Sequence, residues 1–379
     1  MSLQLPFRLI PRAQPSQRML VVAPLLAVVL TLLVGLGIFA ALGQNPLTAF
    51  RVFFIDPVSD IQGWSELLLK ASPLCLIALG LAIGFRANIW NIGAEGQMYL
   101  GGIFATGLAI HFHETGGAWL LPAMIIAAAV GGALWAAITA ALRAHLRTNE
   151  ILVSLMLTYV ADLLVKYLVY GPWQDPQSNN FPFTIQFGDD ALFPLLASWS
   201  WLGFDTLLEG TRVNLSILMT LVAVPLAWLF MDRSFIGFQL SVAGLAPPAA
   251  RYAGFSEKRL VWVALLLSGA AAGLAGVSEV AGPIGQLNDR WTPGYGFTAI
   301  IVASLGRLHV VGIVFAALLM ALLYLGGEAA QIALQLPKAI SQVFQGLLLM
   351  FLLGCDVLVN YRVERRRAAL PVVQPVAAA

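Results

Sequence analysis

The sequence predicts an all-α, polytopic membrane protein of about ten transmembrane helices, and three observations carry that expectation. Of 379 residues, 59% are hydrophobic and only 11% charged, where soluble domains carry roughly 45–50% and 25%. The apolar residues fall in windows of the roughly 20 residues that a helix rising about 1.5 Å per residue needs to cross a hydrocarbon core of about 30 Å. The charges fall between those windows, and the basic ones fall unevenly. An ordinary soluble enzyme is excluded. A net charge of +2 suggests neither a nucleic-acid footprint nor a polybasic surface domain.

The ten windows are residues 19–42, 67–85, 93–112, 118–142, 151–170, 213–231, 260–280, 291–306, 308–327 and 339–355. The first follows Arg8, Arg12 and Arg18, but it is longer than the roughly 7–15 residue apolar region of a signal peptide and reads as a retained anchor. The eighth is short and opens Thr292-Pro293-Gly294-Tyr295-Gly296, the mark of a broken or partial helix. With the N-terminus in the cytoplasm, alternation puts fifteen Lys/Arg inside, among them Arg86, Arg143, Arg147, Arg233, Arg251, Lys258, Arg259, Arg307, Arg365, Arg366 and Arg367. Only Arg51, Lys70, Arg212, Arg290 and Lys338 fall outside, with Lys166 inside a span. Basic residues mark cytoplasmic loops, so both termini are expected there. The chain then divides into a cytoplasmic tail (1–18), a membrane domain (19–355) and a second cytoplasmic tail (356–379).

Two loops are long. The outer one, 171–212, carries Asp175, Asp189, Asp190, Asp205 and Glu209 with Trp173, Trp199 and Trp201; it reads as an external cap with an interfacial helix near 191–201, where tryptophan favours the membrane boundary. The inner one, 232–259, holds Arg233, Arg251, Lys258 and Arg259. It is too small for an enzyme domain but can form a short helix for a cytoplasmic partner.

Windows two to five and seven to ten share a rhythm: a simple apolar helix, a glycine-interrupted lead-in, a long helix and a final helix. The lead-ins are Trp90-Asn91-Ile92-Gly93-Ala94-Glu95-Gly96 and Trp291 through Gly296. The sets start on opposite sides, so the relation is an inverted repeat, and paired interruptions of this kind point to a transporter's central site.

Chemistry is sparse. Lysine occurs only at 70, 166, 258 and 338, never after glycine, so the G-x-x-x-x-G-K-[ST] phosphate loop is absent. His111, His113, His145 and His309 lie at span ends, and Cys75 and Cys355 lie in apolar stretches; neither a metal site nor a disulfide is implied. Asp162 and Lys166 stand at i and i+4 and can pair on one helix face, a proton relay being the alternative. Glu279 and Glu328 are expected to reach water at outer span ends. An ion-coupled secondary transporter would need more intramembrane carboxylates than these, so an energy source on another chain is expected. Glu95 stands out, following Arg86, Asn88 and Asn91 and preceding Gln97.

The stretch Gly84-Phe85-Arg86-Ala87-Asn88-Ile89-Trp90-Asn91-Ile92-Gly93-Ala94-Glu95-Gly96-Gln97-Met98 closely resembles permease subunits of bacterial ABC importers in the ribose and branched-chain amino acid permease superfamily. Within it, nucleoside (guanosine-type) uptake permeases are most similar. Thr148-Asn149-Glu150-Ile151 through Tyr159 resembles a second stretch, with Thr158 where Asn is usual; Gly237 to Gly254 and Ser268 to Gly276 make a third. The resemblance implies a second permease (a heterodimer is expected), two cytoplasmic ATPase subunits that carry ATP and Mg, and an external substrate-binding lipoprotein, with no cofactor in this chain. It also implies that the inner loop couples to the ATPase through Gly237, Gly244, Pro248, Ala249, Ala250, Arg251, Tyr252 and Gly254. Pro248 replaces the usual acid, and Ser241 and Ala246 replace a basic residue and Asn. Asn88, Asn91, Glu95, Gln97 and Tyr295 are the expected pathway or gate residues. Amides and a tyrosine suit the edges and face of a nucleoside, and a simple sugar equally. A branched-chain amino acid would want a cationic or helix N-terminal anchor, and no intramembrane arginine is present to supply one.

Overall fold

The computed structural model describes residues 7–12, 16–198, 209–337 and 339–365. Thirteen α-helices occur among them: α1 (Gln17–Ala41), α2 (Pro46–Phe54), α3 (Ile61–Phe85), α4 (Ala94–His111), α5 (Leu120–Leu146), α6 (Glu150–Val169), α7 (Ser216–Trp228), α8 (Phe235–Leu245), α9 (Pro247–Tyr252), α10 (Glu257–Glu279), α11 (Tyr295–Leu305), α12 (Val310–Leu334) and α13 (Ala339–Asn360). Ten of them occupy the ten predicted windows, and α8 with α9 supply the short helix expected in the inner loop.

Among the described residues eight helices are long and apolar enough to cross a membrane, and the two windows that fall short are α4 and α11. Glu95 and Gln97 make the first turn of α4 polar. At 11 residues, α11 is about 16 Å long, half a hydrocarbon core. It is a partial helix, as its Thr-Pro-Gly opening anticipates. In the outer cap the described part of the 191–201 segment holds only single 3₁₀ turns at Asp189–Ala191 and Leu196–Ser198; Trp199, Trp201 and Asp205 lie outside the described residues, as do Lys338, Arg366 and Arg367. The cap is pinned to the lead-in of α11 by backbone bonds, Thr184 N–H to Leu287 O at 3.0 Å and Phe187 N–H to Gly285 O at 2.8 Å.

The chain forms two compact units, residues 1–46 with 342–379 and residues 47–341. In the first, α1 and α13 run antiparallel. Phe39 stacks obliquely on Phe344 with ring centroids 5.5 Å apart, and the Ser16 N–H reaches Val359 O at 3.0 Å. Beyond that point strands β1 (Phe7–Pro11) and β2 (Tyr361–Arg365) pair antiparallel, Leu9 opposite Val363. Both tails therefore leave from the same end of this helix pair.

The second unit is built around α3, of which 89% of the spanning window is buried. Proline at position 73 sits inside α3, tolerated in a membrane helix because neighbouring groups satisfy the freed carbonyl. The end of the bundle that carries Phe85, Leu146, Glu150 and Glu257 is called lower here, and the opposite end upper. α10 packs against α3, α4 and α5 through small residues. In hydrocarbon, helices associate by close van der Waals fit, which favours such stripes. A Cβ on Gly269 would strike Gly132 O and Ala136 Cβ, one on Gly273 would strike Ala128 O, and one on Gly276 would strike Met98 O and the Gly102 N. The stripe Gly269, Ala272, Gly273 and Gly276 is thus the seam where three helices meet.

Gly273→Leu is expected to cost about 3 kcal/mol or more by overpacking this seam, seen as a lower unfolding midpoint in detergent. Gly346→Ala on α13, where an added Cβ meets nothing within 4 Å, is expected to be neutral or to stabilise by up to about 1 kcal/mol.

Candidate functional site

The lead-ins of α4 and α11 approach from opposite ends and meet inside the bundle. Gly93 and Gly96 lie against the backbone of Ser154 and Thr158, so the first turn of α4 runs alongside residues 154–158, about 6 to 12 Å along α6 from its lower end. Tyr295 packs edge-on against Tyr324, centroids 5.4 Å apart, about 15 Å along α12 from its upper end. Both helix N-termini are therefore deep. Each helix begins at a glycine, Gly93 or Gly294, with no side-chain cap, and the first four N–H groups of a helix have no partner within it.

Glu95 supplies the partner. Its Oε2 accepts the N–H of Gly296, in the first turn of α11, at 2.5 Å, and its Oε1 accepts the hydroxyl of Thr292. An anion at a helix N-terminus is favoured by the aligned peptide dipoles, and this carboxylate serves two: it lies in the first turn of α4 and caps α11. Gly296 has no alternative there, because a Cβ would collide with the Glu95 backbone. Gly294 reaches the junction with φ +93, a left-handed conformation that glycine adopts without strain. One turn above, the Tyr99 ring meets the edge of Trp291 at 5.8 Å.

The other predicted residues divide into three places. Asn91 and Gln97 pair reciprocally, at 2.7 and 3.0 Å, and Asn91 Nδ2 also donates to Ser268 Oγ on α10 at 2.9 Å. Both are about 1% exposed, with their groups turned on each other and on α10. Tyr295 is buried beside Tyr324, whose hydroxyl bonds Thr298 Oγ1 at 2.7 Å. Asn88 is elsewhere, exposed at the lower end with φ 56, its Nδ2 donating to Gly244 O at 2.8 Å. Thr292, Ser268, Tyr99 and Tyr324 join the site without having been singled out from sequence. The hint was available for Thr292, which precedes the Pro-Gly break in one lead-in as Asn91 precedes the glycine in the other.

Below the junction, one arginine ties three loops. Arg86 donates to Leu308 O at 2.9 Å, to Met231 O at 3.3 Å and to Asp232 at 2.7 Å. Arg143 pairs with Glu150, whose carboxylate also accepts the Trp90 N–H. Of the predicted coupling residues, Gly244 sits on the backbone of Arg86, with no room for a Cβ, and Gly237 sits likewise on Phe230 and Met231. Pro247 and Pro248 open α9, where a missing N–H costs nothing. Ala250 is buried, Tyr252 is 97% exposed, and Ala249 and Arg251 are exposed. Gly254 ends the segment with φ +74.

Two acidic residues differ in fate from each other. Glu328 is exposed and meets Lys70 at 2.9 Å. Glu279, expected to reach water, is buried at the top of α10, because the chain beyond it does not continue straight: Gly282 leaves helical geometry and Pro283 follows, folding the cap over the helix end. Among the described residues no cluster of three His, Cys, Asp or Glu could hold a metal ion.

A multi-helix membrane bundle with two part-length helices meeting at depth has the architecture of a solute permease. A family model for the permease component of the branched-chain amino acid transport system matches residues 63–353, and the chain belongs to that family. It is 37% identical over 340 residues to the glucose ABC transporter permease protein TsgB13 of Haloferax volcanii, covering 90% of this chain and 89% of the relative. It is 29% identical to the nucleoside ABC transporter permease protein NupB of Lactococcus lactis, over 81% and 83% of the two chains. It is also 29% identical to the guanosine ABC transporter permease protein NupP of Bacillus subtilis, over 86% and 91%. The protein is thus a multi-pass inner-membrane permease subunit of an ABC importer, working with ATPase and substrate-binding partners, and is not an enzyme.

Glu95→Ala strands the Thr292 hydroxyl and the Gly296 N–H in the interior, at about 1–3 kcal/mol per unsatisfied group. A fall in unfolding midpoint in nanodiscs larger than that of Asn88→Ala, whose partner is near water, is the expected result. An unchanged midpoint for Glu95→Ala would remove the junction's structural role.

Proposed function

We propose that this permease subunit imports a neutral solute built around a sugar ring, with a free sugar as the first reading and a nucleoside as the second. The observation that carries the proposal is the occupancy of the junction. Paired half-helix N-termini in transporters are the usual place for an anionic substrate group; here the protein's own Glu95 carboxylate lies in the first turn of α4 and accepts the Gly296 N–H of α11. A zwitterionic amino acid finds no vacant anchor for its carboxylate there. The glucose permease relative at 37% identity favours the sugar, and the nucleoside and guanosine permeases at 29% support the nucleoside expected from the sequence.

In this reading the lower end is cytoplasmic, in keeping with Arg86, Arg143, Arg233, Arg251, Lys258, Arg259 and Arg307 gathered there. α8 and α9 are the surface that meets the ATPase, whose ATP and Mg supply the energy, while a second permease and an external binding lipoprotein complete the importer. Tyr252 offers the partner an exposed ring. Gly244 bears directly on Arg86 and bonds Asn88, so a push on α8 reaches the α4 lead-in, and through Asn91 and Ser268 the helix α10. ATP can drive the cycle only if its binding favours one of two arrangements of these elements.

Reconstituted with its second permease, ATPase and binding protein, the complex is expected to show saturable, ATP-dependent uptake of glucose or guanosine and none of leucine. Leucine uptake would overturn the neutral-solute reading. Gly254 is the coupling test, because its Cβ position is open to solvent. Gly254→Ala adds only left-handed strain, about 1 kcal/mol, and should leave uptake nearly intact. Gly254→Trp adds bulk on the partner side and should abolish substrate-stimulated ATPase activity while the subunit stays folded.

A further inference from the structure

At the Glu95 junction Asn91, Glu95 and Gln97 are buried with their side chains bonded to protein groups, which turns attention to the outer face of the bundle for a surface that touches solute. α6 carries a polar stripe on its outer side. Tyr159, Asp162, Lys166 and Tyr170 follow one another at spacings of three and four, which keeps them on one strip of a helix. Tyr159 and Tyr170 are 59% and 56% exposed, and the Asp162 and Lys166 side chains 30% and 44%. At its upper end the strip continues into the 285–294 segment, where the Tyr170 hydroxyl donates to Asp289 at 3.2 Å.

The depth of Asp162 and Lys166 disfavours lipid as their neighbour, while the exposed Met156, Val160 and Leu163 flank the strip on the same helix. Asp162 stands about 18 Å along a 20-residue span of about 30 Å. Ionisable side chains at such depth face a bundle interior or a water-filled cavity. Lys166 is close enough to the upper end to extend its ammonium toward the interface, as lysines near helix ends do; instead its Nζ turns back to Asp162 at 2.7 Å. Gly96, next to Glu95, lies against the backbone of Thr158, one residue from Tyr159, which places the strip on the flank of the junction. By contrast Leu134, midway along α5, is 55% exposed among apolar neighbours and has the character of a lipid-facing position.

We propose that the Tyr159, Asp162, Lys166 and Tyr170 face of α6 is a wall of the aqueous substrate pathway and contacts the solute directly. The opposite wall is another subunit, so this inference rests on the permease pairing proposed above. A carboxylate beside an ammonium offers an acceptor and donors to vicinal hydroxyls with no net charge, and the tyrosine rings offer faces for stacking on a sugar or base. The Asp162–Lys166 pair is therefore a specificity element for neutral polyhydroxylated solutes in addition to a brace within α6.

The test is thiol accessibility in the assembled importer, with Cys75 and Cys355 replaced by alanine. A thiol in water ionises and reacts, whereas one in apolar surroundings stays protonated and inert, so Tyr159→Cys and Tyr170→Cys are expected to react with a charged methanethiosulfonate about tenfold faster than Leu134→Cys. Transported glucose or guanosine should slow the two stripe positions and leave Leu134→Cys unchanged. Copurification of the ATPase with each variant verifies assembly, and Tyr170→Cys serves where Tyr159→Cys does not assemble. Rates at both stripe positions no faster than at Leu134→Cys would overturn the proposal, as would fast labelling that no transported solute slows. If leucine alone is transported and alone protects, the neutral-solute reading falls while the pathway wall stands.

Discussion

One buried carboxylate sets the architecture of this permease. A helix that begins within a bilayer exposes N–H groups where no water is available to meet them, and irregular backbone survives there only when protein satisfies it. Here two helices begin at such depth, α4 and α11, and neither has a side-chain cap of its own. Glu95 answers for both: it lies in the first turn of one helix and accepts from the Thr292 hydroxyl and the Gly296 amide at the start of the other. Two donors and the positive ends of two helices favour a carboxylate at this position. Without it, two half-helices would point their positive ends at each other across an unfilled gap.

The surrounding structure follows from keeping that gap closed. Asn91, Gln97 and Ser268 hold the α4 lead-in on α10. The glycine seam lets α4, α5 and α10 approach closely enough for the junction to be narrow. Arg86 gathers the lower loops into one knot, and the cap is stitched to the α11 lead-in above. The Asn91, Gln97 and Ser268 groups and the Glu95 carboxylate are thus taken up by protein partners, which is why they make a poor solute site and a good keystone. The polar strip on α6 is the reverse: an ion pair and two tyrosines half-open to the outside of the chain at membrane depth. The two sets lie back to back, so a shift in the junction would alter the wall beside it.

Much of the fold was legible in the sequence because a bilayer imposes a length and an apolar composition on whatever crosses it. All ten windows contain helices, with ends displaced by a few residues. The short eighth window declared itself through Thr292-Pro293-Gly294, and the small residues of 269–276 declared a close seam. Asp162 and Lys166 were readable as a pair because i and i+4 is a local relation. Glu279 was misplaced because its burial depends on a kink three residues further on and on a cap folded over it, neither of which is local. Four of the five expected pathway residues come from one polar run, with Tyr295 from the second lead-in, but adjacency in sequence at a chain reversal does not mean a shared direction. Asn88 ended at the lower surface, Asn91 and Gln97 against α10, and Glu95 alone at the junction.

The sequence by itself determined that this chain lives in a membrane, where it crosses, that two corresponding lead-ins interrupt its helices, and to which family it is similar. These follow from composition, length and short-range spacing. Only the tertiary structure decided that the two lead-ins meet, that Glu95 of one bonds Thr292 and Gly296 of the other, and that the charged pair of α6 faces outward. Those are relations between residues about two hundred positions apart, or between a side chain and the surface of the whole bundle. They are fixed by packing and by the need to satisfy every polar group in the absence of water, and no local pattern records them.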